Sequence, residues 1–152
     1  MISFTAKITK TRFFTALAVI LIPLLIFSAT YISRMQKNTD INLEGKTSAQ
    51  RVEFLKQFGW ECGNTEETVK DTVIPSVFDN VYEAYNNIQL TQGFDLSKYK
   101  GESAKLYSIK INNYPANSEY VYATLLVKDG IIIGGDIHST ELNGFMHGFA
   151  IE

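Results

Sequence analysis

The sequence predicts an α+β protein: one N-terminal transmembrane helix, then a small domain with two helices packed on a three- to four-stranded antiparallel sheet. Three observations predict it. Residues 13–33, FFTALAVILIPLLIFSATYIS, run for 21 positions without a charged side chain, and as a helix they would extend about 31 Å, the thickness of a bilayer's hydrocarbon core. Two later segments repeat apolar residues every three to four positions, the helical period. From Ser103 onward the repeat shortens to two, the alternation of strands.

Residues 1–12 hold Lys7, Lys10 and Arg12 and form a basic tail expected in the cytoplasm. Residues 13–33 read as an anchor in contact with the lipid bilayer. Pro23 should kink this helix rather than end it, because freed backbone groups find no water in lipid. A cleavable signal peptide is the competing reading. Against it, cutting after Ala29 would put Phe27 where a small residue is wanted, and the single cysteine, Cys62, lies too far downstream for lipoprotein processing. Arg34, Lys37 and Lys46 balance the three bases before the segment, so charge alone leaves the orientation tied. A short basic tail followed at once by an apolar run is the layout of a signal-anchor, which places the protein in the cell membrane, single-pass, with an extracytoplasmic C-terminal domain.

Beyond residue 37, nine basic residues face sixteen acidic ones, a net charge of about −7. That balance excludes nucleic acid as a partner, since binding it requires a basic patch. A single cysteine excludes an intramolecular disulfide, leaving stability to an ordinary core.

Residues 34–46 are polar and aperiodic and read as a spacer; the domain is expected over residues 47–152. Thr47 or Ser48 can cap a first helix bearing Val52, Leu55 and Phe58, with Phe54 beside them, on one apolar face, ended by Gly59. Residues 60–62 can begin a strand, residues 64–70 read as a loop, and residues 71–74 extend again. Ser76 and Asp79 resemble a capping box for a second helix reaching about Thr91, with Phe78, Val81, Tyr82, Tyr85 and Ile88 or Gln89 on one side. Gly93 closes it, and residues 93–101 form a connection pinned by Phe94, Leu96 and Tyr99.

Three strands follow at about 104–113, 119–128 and 131–139. Asp129-Gly130 is the strongest hairpin signal, because both turn positions require positive φ. A two-residue turn there sets Val127 opposite Ile132 and Leu125 opposite Gly134. Ile111 is expected opposite Val121, which puts Tyr107, Ile109, Ile111, Val121, Ala123, Leu125 and Val127 on one face, with the second helix across it. The other face mixes Ser108, Lys110, Asn112 and Thr124 with Leu106, Tyr120, Tyr122, Leu126, Ile131, Ile133 and Ile137. Either the first helix or the tail covers it, or Tyr120, Tyr122, Leu126, Ile131 and Ile133 form a docking face for a protein partner.

Little chemistry stands out. Gly134-Gly135-Asp136 lacks the following helix that a phosphate loop needs and reads as a bulge or a close backbone approach. Asp136 and His138, two apart on a strand, point the same way and could be half of a metal site completed by Glu141 or His147. Cys62, beside Glu61, reads as inert. Neither a catalytic constellation nor a cofactor is indicated, so catalysis is not expected.

FLKQFGWE, IPSVFDNVYEAYNNIQLTQGFDLSKYKG, the strand run through NYP, VYATLLVKDG and IIGGDI, and the ending GFMHGF together resemble the uncharacterised Firmicute domain family DUF4830, over about Ser48 to Phe149. The resemblance implies a small protein with an N-terminal membrane segment and supplies no activity, ligand or functional residue. The expected role is a non-catalytic protein-binding or regulatory module of the Gram-positive cell envelope. The alternative is a small metal-dependent hydrolase using Asp136, His138 and His147.

Overall fold

The structure is a computed structural model, and it describes residues 41–63, 67–115 and 119–150. The basic tail, the anchor at 13–33 and most of the spacer lie outside the described residues. Among the described residues no helix is long and apolar enough to cross a membrane. The chain divides into two units at Ile41/Asn42, and the second unit, Asn42–Glu152, holds the α+β domain.

Helix α1, Ser48–Lys56, starts where Thr47 takes the Gln50 N–H while the Gln50 side chain takes the Thr47 N–H, a full capping box. Strand β1, Thr68–Val73, follows, then helix α2, Asn80–Thr91, and a 3-10 turn at Leu96–Tyr99. Strands β2, Ser103–Lys110, β3, Val121–Lys128, β4, Ile131–Ser139, and β5, Met146–His147, complete the fold. The sheet runs in sequence order, and every neighbouring pair is antiparallel.

Five strands replace the expected three to four. The extra strand at the front is β1, which begins at Thr68, inside the segment expected to be a loop. Its burial is slight, so alternation left no mark in its sequence: an edge strand is held by its ladder to β2 and not by buried side chains. The capping of α2 also differs. Asp79 alone caps it, accepting from the Tyr82 N–H at 2.8 Å, and the helix starts at Asn80. Residues 43–45, expected as spacer, join the sheet: the Ile132 N–H donates to Leu43 O, and the Gly45 N–H to Gly130 O, both at 2.8 Å.

The β2–β3 register is the expected one, with Lys110 opposite Tyr122 and the Ile111 N–H donating to Val121 O. Asp129 and Gly130 make the predicted turn at φ 51° and 81°. Val127 faces Ile132 as expected, but Leu126, not Leu125, faces Gly134, because Ile133 is an extra residue on β4. The Gly134-Gly135 pair therefore marks a bulge and a close approach together. A Cβ on Gly134 would stand 2.8 Å from Gln89 Oε1, and one on Gly135 would stand 2.1 Å from the Thr124 carbonyl oxygen. The bulge also moves Ile137 opposite Ala123, onto the face away from the one expected.

The helices cover the two faces in the reverse of the expected order. Helix α2 and the 3-10 turn pack on Ala104, Leu106, Leu126 and Ile133, joined by Ile74, Leu96, Phe78, Tyr82 and Tyr85. Helix α1 covers the face of Tyr107, Leu125 and Ile137: Arg51 lies 3.7 Å above the Tyr107 ring, and Phe54 meets Phe149, which abuts Gly135. Both faces are apolar enough to need a cover, and alternation alone does not rank them.

Three polar side chains sit at the centre of this packing. Arg51, 4% exposed, donates to Gly45 O at 2.6 Å and grips both carboxylate oxygens of Glu67. Gln89 Oε1 takes the Gly135 N–H at 2.8 Å, and Gln92 Nε2 donates to Gly135 O at 3.1 Å. Between residues 43–45 and the two-residue β5, the outer edge of β4 has no partner strand among the described residues. The two glutamines stand in for one.

Candidate functional site

The five residues of the expected docking face do not form one surface. Leu126 and Ile133 are 3% and 4% exposed under α2. Tyr120 and Ile131 are exposed at opposite ends of the paired strands, and Tyr122 is half-buried beside His138, the ring centroids 6.3 Å apart.

The metal ligands weighed from the sequence do not assemble either. On β4, Asp136 pairs with Thr124 and His138 with Tyr122, which sets both on the α2 face. His147 pairs with Ile137, on the other face. There its Nδ1–H donates to Gly148 O at 2.6 Å, its Nε2 accepts from the Tyr114 hydroxyl at 3.2 Å, and its ring stacks with Phe145. Glu141 is exposed in the loop before β5. Among the described residues, no group of three or more His, Cys, Asp or Glu is placed to hold a metal.

What the fold does assemble is a cleft of about 560 Å³ between α2 and the sheet. Its apolar walls are Val81, Ile88, Leu106, Leu126 and Met146, and its polar end is Tyr85, Thr124, Asp136 and His138. The bulge at Ile133 builds this end, since without the extra residue Asp136 and His138 would face α1. Asp136 is 2% exposed, and two groups serve its carboxylate: the Tyr85 hydroxyl donates to Oδ2 at 2.9 Å, and His138 Nδ1 lies 2.8 Å from Oδ1. Burial raises the Tyr85 phenol, and the neighbouring Asp136 charge raises it further, so it stays a neutral donor.

The residue spacing located Asp136 and His138, but helical periodicity marked Tyr85 only as a residue facing the sheet and gave no sign of its partner 51 positions away. Val81 was expected on the core face of α2 and is instead 78% exposed where it lines the cleft, which Met146 of β5, 49% exposed, also lines. For Val81 the signal was an apolar stripe on α2 wider than the core needs. Cys62 is half-buried in a bridge opposite Ile111, and burial raises its thiol while Lys56 opposes the shift. A raised thiol is a poor nucleophile near neutrality.

No curated protein matches the chain, and no solved structure matches it. Residues 54–137 match the family described as Domain of unknown function (DUF4830), a span that includes Tyr85 and Asp136, stops one residue short of His138 and leaves out β5. That match covers more than half of the sequence, and the chain belongs to the DUF4830 family.

Proposed function

We propose that this protein is a non-catalytic binding or regulatory module of the cell envelope, anchored through residues 13–33 with its domain outside the membrane. The cleft beside α2 is where it engages what it binds. The supporting observation is that Val81, 78% exposed, and Met146, 49% exposed, are apolar and line the same cleft, which the domain's own core leaves unfilled.

The test uses full-length protein in intact cells with a photoreactive residue at position 81. A specific envelope protein is captured, and in a parallel assay Val81→Asp abolishes the protein's cellular role without lowering its melting temperature. Full-length product found wholly soluble after cell breakage would overturn the anchoring. Chemical conversion of a bound compound would overturn the non-catalytic reading.

A further inference from the structure

We propose that the cleft takes an uncharged amphiphile, a molecule with an apolar body and one hydroxyl, and that the hydroxyl donates its hydrogen to Nε2 of His138. This rests on the reading of the domain as a binding module and names the chemistry of what the cleft holds.

The donor and acceptor inventory of the cleft carries the inference. An ionised carboxylate only accepts hydrogen bonds, so Asp136 requires a hydrogen on His138 Nδ1, 2.8 Å away. Fixing that hydrogen leaves Nε2 of the neutral ring as a lone pair. His138, its side chain 22% exposed, lines the cleft, and Asp136 beside it is only 3% exposed with its two oxygens already engaged by Tyr85 and His138. An ammonium ligand therefore finds no open carboxylate. A carboxylate ligand would meet a lone pair with Asp136 behind it, and among the described residues neither Lys nor Arg lines the cleft. A hydroxyl supplies the missing donor without adding charge, and its apolar body lies against Val81, Ile88 and Met146.

The experiment uses the full chain in lipid nanodiscs with ¹⁵N-labelled histidine. It is titrated with cyclohexylmethanol, cyclohexanecarboxylate and cyclohexylmethylamine, three probes with one body and different heads, against empty nanodiscs as the partition control. The alcohol should shift the His138 Nε2 resonance saturably, leave His147 unmoved, and bind about tenfold tighter than the acid or the amine, the worth of one well-formed hydrogen bond. His138→Phe, with His138→Gln beside it should the first variant disturb the His147 signal, should weaken the alcohol about tenfold for Phe and less for Gln, which keeps an acceptor. Equal or tighter binding of the acid or amine, alcohol binding indifferent to His138→Phe, or binding of none of the three overturns the proposal. If these fail while capture at position 81 persists, the ligand chemistry is wrong and the binding module stands; loss of both removes the broader reading.

Discussion

The indole Nε1–H of Trp60 donates to the backbone carbonyl of Phe149 at 2.7 Å, joining positions 89 apart in the chain. Trp60 is 2% exposed, stacks on Tyr114, and holds the tail so that the Phe149 ring can fill the space between α1 and Gly135. Trp60→Phe keeps an aromatic ring but orphans a buried carbonyl. It should lower unfolding free energy by about 1–3 kcal/mol in urea titration, with the tail amides beyond Met146 losing hydrogen-exchange protection first.

Arg51 makes a second long-range tie, to Glu67, Gly45 O and the Tyr107 ring. Arg51→Ala removes all three and strands the Glu67 carboxylate, and should cost about 3 kcal/mol by chemical denaturation. Arg51→Lys keeps the charge without the planar fork and should recover less than half of that loss.

Two glycines separate backbone strain from crowding. Gly59, at φ +86°, has nothing among the described residues within 4 Å of an added Cβ, so Gly59→Ala should cost roughly 1 kcal/mol from the left-handed backbone alone. Gly135→Ala drives a methyl into the Thr124 backbone and the Phe149 ring and should cost about 3 kcal/mol or more. Equal melting temperatures for the two variants would contradict the packing at the bulge.

The acid limb of stability should carry a signature of Asp95. The Ser97 hydroxyl and N–H donate to its Oδ1 at 2.6 and 3.0 Å, and these bonds, the hydroxyl's first, hold its carboxyl below the usual value despite some opposing desolvation. A group lowered on folding adds stability that is complete above its unfolded pKa of about 3.9 and lost as pH falls through the folded value. The melting-temperature difference between the protein and Asp95→Asn, which keeps an acceptor but no charge, should be steady above about pH 5 and shrink below about pH 4.

The features legible in the sequence were those set by near neighbours. Thr47, Gly59, Gly93 and the Asp129-Gly130 turn act within a few residues, and the β2–β3 register follows from alternation on both strands. The covering of the faces was not legible, because α2 buries Asn86 and Gln89 while it exposes Val81. Counting apolar positions puts Phe78, Tyr82 and Tyr85 correctly on the inner side but misplaces Val81 and passes over Asn86. Asn86 Oδ1 takes the Leu96 N–H at 2.8 Å and Gln89 serves the bulge, so the inner stripe is chosen by backbone hydrogen bonding as well as by hydrophobicity. At the candidate site, the Asp136–His138 spacing showed half of the arrangement. The side to which that half points depended on the single extra residue Ile133, and its phenol partner came from a separate element.

The glutamine pair at Gly135 bears on how the molecule behaves in a crowd. A bare strand margin recruits strands from other molecules, the first step toward aggregates. Gln89 and Gln92 fill the stretch of the β4 margin that residues 43–45 and β5 leave uncovered, while β1, at the far margin, shows Lys70 and Asp71 to solvent. The β4 margin therefore offers a neighbouring copy less bare backbone to pair with, and that cover is owed to two amide side chains one helical turn apart.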